Sequence, residues 1–241
     1  MVDDVFLLTG EDYYLTDDIV IRQPTCQEIL DYGEQRYFSL ISFLTSTPSD
    51  LKWQLYDSYK IYFDEIDEFA VFFIICKNID KNDSKIILGD LDLSALEVGE
   101  DSNNQLILFD PKNKKKIFDV KIYNDMVDYI RKMHVLKKNC ERPANKHTRD
   151  IMIQVAKKEY EENKNKHKSV ILPCLLFLSN TADFKYDFIS GRKLPIYIFL
   201  QSYFQVLHNK DVSNLYNGIY SGAIDIKKIN KKELSYIKEF N

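Results

Sequence analysis

The stretch Ile19-Val20-Ile21-Arg22-Gln23-Pro24-Thr25-Cys26-Gln27-Glu28-Ile29 decides the fold class, because the chain changes its local period inside it. Before Pro24 the apolar run reads as a strand. With Val5-Phe6-Leu7-Leu8, the turn Thr9-Gly10-Glu11-Asp12 and the pair Asp17-Asp18, it makes the pattern of a small β-hairpin or meander. Pro24 ends that pattern, since proline has no N–H to give a ladder. Thr25 is then a good N-cap, and Glu28 three residues on completes a capping box. Ile29, Tyr32, Gly33, Tyr37, Leu40, Ile41 and Leu44 follow at helical spacing. Gly33 marks a kink or a close helix contact, because glycine inside a helix costs about 1 kcal/mol relative to alanine.

Downstream, a second helix is expected from Pro48-Ser49-Asp50 through Leu51, Trp53, Leu55 and Tyr56. A third should begin near Phe63-Asp64-Glu65, its acids favourable at the positive helix end, and run through Phe69–Cys76. Lys85-Ile86-Ile87-Leu88 reads as a strand, and Gln105–Phe109 as another that pairs with it or with a third near Lys116–Asp119. The polar turns Gly99–Asn104 and Asp110–Asn113 separate them. Ile122, Met126, Tyr129, Ile130 and Met133 mark a helix, and the polar segment 137–147 is the best linker. Beyond it the pattern is helical over about 148–165, 169–180, 193–207 and 211–220, with a turn at Ser190-Gly191, a stop at Ser221-Gly222 and a last helix capped by Asn230. The expected fold class is α+β: an N-terminal mixed α/β part with short antiparallel strands (1–140, acidic to mixed) and a basic, all-helical C-terminal part (141–241).

At 241 residues, 45% apolar and 29% charged, the chain can bury a sizeable core. Its longest apolar runs, Phe69–Cys76 and Val170–Leu178, fall short of the roughly 18–20 residues that cross a bilayer, and the acids Asp3 and Asp4 stand where a signal peptide carries bases. Cys26, Cys76, Cys140 and Cys174 form no CxxC pair, which suits a reducing cytoplasm better than a disulfide framework. The net charge of −4 conceals a polarity: residues 1–110 carry a formal −16 and residues 111–241 a formal +12. Such halves dock on each other, dock head to tail between copies, or offer opposite faces to different partners.

Catalytic and metal-binding signatures are absent from the sequence. His134, Cys140 and His147 are the nearest thing to a zinc cluster, yet zinc sites use tighter paired spacings, and His167 and His208 have no partner at i+3 or i+4. Gly89-Asp90-Leu91-Asp92 is read as a turn leaving a strand, and Asp64, Glu65, Asp67 and Glu68 as a solvated helix start. No phosphate loop, GxSxG elbow or Cys/His nucleophile context is present, so no enzyme and no cofactor are expected. The basic stretches Lys112–Lys116 and Lys157–Lys168 lack interleaved stacking aromatics, and the whole chain is acidic, so nucleic acid is not an expected partner. The aromatic helix with Tyr197, Phe199, Leu200, Tyr203, Phe204 and Leu207 is apolar over a wide arc and reads mainly as core. Tyr197, Phe199, Tyr203 and Phe204 on that helix, with Lys114, Lys115 and Lys116, are the candidate partner-binding residues.

Three groups of residues together resemble a known family. Ile21-Arg22-Gln23-Pro24-Thr25 with Glu28-Ile29 and Tyr32-Gly33-Glu34, then Thr47-Pro48-Ser49-Asp50-Leu51-Lys52, are similar to the opening of tail-assembly proteins from phages and prophages of low-GC Gram-positive bacteria. Gly218-Ile219-Tyr220-Ser221-Gly222 with Lys227–Leu234 resembles their closing motif, and Tyr129–His134 fits between. The resemblance runs in order along nearly the whole chain, carried by folding motifs and not by catalytic ones. It implies a non-catalytic tail assembly chaperone that binds the tape-measure or tube protein, with no cofactor. The charge polarity adds copies of itself as a partner, the composition adds no membrane or nucleic-acid partner, and the expected place is the host bacterial cytoplasm. The rival the resemblance leaves open is a structural tail or baseplate component retained in the virion tail.

Overall fold

The computed structural model describes residues 4–164, 166 and 168–237. The capping box at Thr25 is formed: the Thr25 hydroxyl accepts the Glu28 N–H at 3.2 Å, while the Glu28 carboxylate accepts the Thr25 N–H at 2.8 Å. It starts α2 (Cys26–Tyr32), and Gly33 breaks the helical path there with φ +101, a value that L side chains rarely adopt. The chain resumes as α3 (Glu34–Thr45), so the expected kink is a boundary between two helices.

The strand before Pro24 is β2 (Val20–Ile21), but its partner is β1 (Tyr13–Tyr14), with Tyr13 opposite Ile21. Val5-Phe6-Leu7-Leu8, expected as a strand, is instead a short helix, α1 (Asp4–Thr9). Only Leu7 of that run is fully buried, which suits one turn laid on the core and not a half-buried strand. The Phe6 carbonyl accepts the Gln23 amide at 2.7 Å, so this turn is tied to the hairpin by a side chain.

After α4 (Lys52–Tyr59), the third helix begins later than expected, as α5 (Glu68–Cys76), because Asp67 caps it by accepting the Ala70 N–H at 2.8 Å. Lys85–Leu88 is not a strand either. It closes α6 (Lys81–Leu88), whose start Asp80 caps through the Asp83 N–H. A three-residue apolar run has no readable period, and the cap upstream settled the outcome. The three-stranded antiparallel sheet is β3 (Glu97–Glu100), β4 (Leu106–Asp110) and β5 (Lys115–Phe118), in that spatial order. Gly99, expected in the turn, therefore sits in β3, opposite Ile107.

The sheet leads into α7 (Val120–Met133), capped by Asp119 and carrying the buried face Tyr123, Met126, Val127, Tyr129, Ile130 and Met133. The segment to Asn145 forms no regular element. Then come α8 (Lys146–Asn163), α9 (Ile171–Ser179), the single turn α10 (Phe188–Gly191) in place of the turn expected at Ser190-Gly191, and α11 (Ile196–Tyr220). The two helices expected over 193–220 are one of 25 residues: nothing between 207 and 211 breaks a helix, and Ser213 bonds back to the Asn209 carbonyl at 2.8 Å. Two 3-10 turns, Ile226–Lys228 and Lys231–Leu234, close the described chain, the second capped by Asn230. The fold is thus α+β, with the named strands in the N-terminal part and helices beyond residue 140.

One buried cluster runs from Leu7 to Val206 and takes side chains from both sides of residue 140, among them Tyr37, Phe72, Tyr123 and Tyr129 before it and Leu175, Tyr197 and Phe199 after it. Each such aromatic contributes about 1.5–3 kcal/mol by burial. Backbone bonds add to the join: Cys26 N–H to Leu194 O at 3.0 Å, Gln27 N–H to Arg192 O at 2.8 Å and Ile196 N–H to Pro24 O at 2.9 Å. Limited proteolysis is expected to cut first at Lys137 or Lys138, in the exposed 136–145 segment. The two fragments should then co-elute from a sizing column, and their separation under native conditions would show that the shared core is too weak to hold them.

Candidate partner-binding surfaces

Among the described residues, ion pairs tie five bases after residue 110, Lys115, Arg131, Lys138, Arg149 and Lys157, to acids before it. Arg149 on α8 lies 3.4 Å over the Tyr62 ring and donates to Glu65 at 2.8 Å and Asp64 at 3.4 Å. Those two acids therefore do not begin a helix; they hold α8. Lys157 reaches Asp57 at 2.5 Å, and Lys138 reaches Glu68 at 2.5 Å. Arg131, 7% exposed at its side chain, sits 3.7 Å from Glu68 and donates to the Thr45 carbonyl at 2.7 Å. Partly buried pairs of this kind order the packing of helices more than they add stability.

The sequence-derived partner residues separate into three groups. Tyr197 and Phe199 are each 1% exposed, so they are core and offer no surface to a partner, a correction that follows from α11 turning this face inward. Tyr203 and Phe204 are half-buried; the Tyr203 ring meets Phe177 at 5.7 Å and Phe204 at 5.6 Å. Lys114, Lys115 and Lys116 are exposed at the β4–β5 tip, but Lys115 is paired with Asp18 at 2.7 Å and Lys116 with Asp119 at 2.8 Å.

The histidine reading resolves in the same way. His134 is buried with both ring nitrogens engaged: Nδ1–H donates to Ile130 O at 2.8 Å, and Nε2 accepts the Tyr37 hydroxyl at 2.6 Å. Burial pulls this imidazole down to about 4, against the upward pull of the Ile130 carbonyl. Cys140 and His147 are exposed, and His167 lies outside the described residues. Among the described residues no group of three or more His, Cys, Asp or Glu side chains is placed to share a metal ion. Burial pushes the Cys26 thiol up to about 12 and also raises Cys76. No helix of the described residues is long and apolar enough to cross a membrane.

A surface absent from the sequence reading emerges where α1, the loop 183–187 and the first half of α11 meet. There Leu8, Phe184, Tyr186, Ile198 and Val206 line an open groove of about 340 Å³, with Gln201, Gln205 and Asn209 along one wall. Leu8 is 45% exposed and Tyr186 44%, and Ile189, next to the loop, is 65% exposed. Gln201, Gln205 and Asn209 fall at i, i+4 and i+8 on α11, a helical stripe that the sequence carries, but the rest of the lining joins Phe184 and Tyr186 to Leu8, nearly two hundred positions away. Amides beside an apolar floor suit the apolar face of an amphipathic segment with polar flanks. Comparison with protein-family models, with curated proteins and with solved structures finds no match.

Proposed function

We propose that this chain is a tail morphogenesis factor of a phage or prophage, a non-catalytic assembly chaperone that binds the tape-measure protein, the tail tube protein, or both, in the host cytoplasm. The observation that carries the reading is the in-order resemblance at the two ends of the chain, residues 21–34 and 218–234. Both are framework segments. The first is the capping box and the Gly33 boundary; the second folds back along α11, where a Cβ on Gly218 would stand 2.5 Å from Ile224 Cδ1 and the Tyr216 hydroxyl donates to Leu234 O at 3.2 Å. The groove beside α11 supports the reading by supplying what a chaperone needs: apolar surface open to solvent, with polar groups at its rim.

The test is quantitative mass spectrometry of the protein in lysates of producing cells and in purified particles. Abundance in the lysate with absence from particles is the expected result. A fixed ratio to the tube protein in particles would instead make it a structural tail or baseplate component. In parallel, the double variant Leu8→Asp, Tyr186→Ala is expected to reduce co-purification of tail proteins by at least about tenfold, because charging an apolar anchor removes its burial energy. Its melting temperature should stay within about 2 °C of the native value, since both positions are exposed. Undiminished co-purification would remove the groove from the proposal.

A further inference from the structure

Where does the unspent charge of the two halves point? In the basic part, Lys115, Lys116, Lys138, Arg149 and Lys157 are all held by acids of the same molecule. Other exposed bases, such as Lys114, Lys137 and Lys146, also form no ion pair among the described residues, but Lys227, Lys228, Lys231 and Lys232 gather four unpaired charges within six positions, exposed on the two closing 3-10 turns. Asp225 and Glu233 lie beside them, so the patch keeps a surplus of two positive charges over the stretch 221–237. Ile226, 53% exposed, stands next to the first pair of lysines.

The acidic part holds a matching concavity. A cleft of about 660 Å³ opens between the β1–β2 hairpin, the residues after α6 and the β4–β5 turn, rimmed by Asp12, Asp17, Asp18, Asp90, Asp92 and Asp110. Arg22, Lys81 and Lys112 line it too, and two rim acids are already paired, Asp18 with Lys115 at 2.7 Å and Asp90 with Lys81 at 3.1 Å. Asp12, Asp17, Asp92 and Asp110 therefore carry its unspent charge, and Leu88 and Ile117 are part of its apolar floor. We propose that copies of this chain associate head to tail, the basic closing turns of one copy seating in the acidic cleft of the next. The lysines meet the aspartate rim while their aliphatic stems and Ile226 cover the floor. A second copy is favoured over a nucleic acid because residues 1–110 carry −16, which repels phosphate as strongly as it attracts a basic protein surface. The contact is heterologous, so it builds a ring where its rotation closes and an open filament where it does not. This inference is independent of the tail-assembly reading and needs no tail protein to test it.

Sedimentation velocity of the purified full chain over a concentration series is expected to show self-association at about 0.15 M salt that is lost at about 0.5 M. The variant Lys227→Glu, Lys228→Glu, Lys231→Glu, Lys232→Glu, and separately the variant Asp12→Lys, Asp17→Lys, Asp90→Lys, should each associate at least about tenfold more weakly. All seven side chains are exposed, and an equimolar mixture of the two variants controls for misfolding. In the mixture each native surface again faces its complement, and so does each reversed one, so association should return. A native chain that stays monomeric throughout, variants that associate like the native chain, or a mixture that fails to regain association would each overturn the proposal. Binding of an oligonucleotide at about 0.15 M salt in place of self-association would overturn it as well.

Discussion

Replacing Glu34 with alanine is expected to lower the melting temperature by about 10 °C, the equivalent of about 3 kcal/mol for a chain of this length. Glu34 opens α3 and is 8% exposed, yet its partners lie more than 130 residues away. Its carboxylate accepts the Ser169 hydroxyl at 2.6 Å, the Val170 N–H at 2.5 Å and the Ile171 N–H at 2.9 Å. The two N–H groups are orphan donors at the start of α9, and valine in the N-cap position has no side-chain acceptor to offer them. Glu34 is therefore the cap of a helix in the other half of the chain, and its charge also suits the positive helix end. Alanine leaves those donors without an acceptor, at about 1–3 kcal/mol for each that water does not reach. Glu34→Gln keeps one acceptor oxygen and turns the other into a donor facing donors, so it should recover about half of the loss. Thermal unfolding followed by circular dichroism makes the measurement; a drop of less than about 2 °C for the alanine variant would mean that solvent caps α9 unaided.

That contact also shows why some of the fold was legible in the sequence and some was not. The Thr25–Glu28 box lies within one turn, so the residues that form it are the residues that announce it. Gly33 announced an interruption for the same local reason. The Glu34 cap of α9 cannot be read this way: the local signal is Ser169, whose hydroxyl accepts the Leu172 N–H at only 3.4 Å, and Glu34 gives no sign of its distant target. Lys85–Leu88 failed differently. Its apolar run fits a strand or a buried helix equally, and the decision lay with Asp80, upstream of the stretch being read. For α11, the pattern reads as two helices, 193–207 and 211–220, where the chain runs on unbroken because no residue between them stops a helix.

The candidate surfaces follow the same division. The wide apolar arc of α11 was visible, but which of its aromatics face inward depends on the chain segments packed against it, and Tyr197 and Phe199 turned out to be core. Lys114–Lys116 are visible as a solvated hairpin tip, while the pairing of Lys115 with Asp18 and of Lys116 with Asp119 requires the β1–β2 hairpin and the start of α7 to be in place. The groove was invisible because its walls are assembled from Leu8, from 183–186 and from α11. The charge polarity of the chain was fully legible, and the fold adds which charges are already used.

Acid should destabilise the protein by about 3 kcal/mol between about pH 6.5 and pH 4, with His134 as the source. The Tyr37 side chain beside it is fully buried, and Nε2 of His134 can only accept from the Tyr37 hydroxyl while Nδ1–H is committed to Ile130. A second proton would sit on Nε2, facing the Tyr37 oxygen, in a site from which water is excluded. Hence the folded-state value of about 4, below the ordinary 6.5. Between those two values the unfolded chain takes up a proton that the folded chain refuses. Stability is thus complete above about pH 6.5, falls as the pH drops through the window, and loses nothing further to this group below about pH 4. Glu28 and Asp119, held low by backbone hydrogen bonds against the upward pull of burial, act further down the scale. Urea unfolding of the native chain and of His134→Gln at about pH 7.5 and about pH 4.5 isolates the imidazole, because the carboxylate contributions are common to both. The native chain should lose about 2–3 kcal/mol more than the variant over that interval, and equal losses would place the acid sensitivity elsewhere.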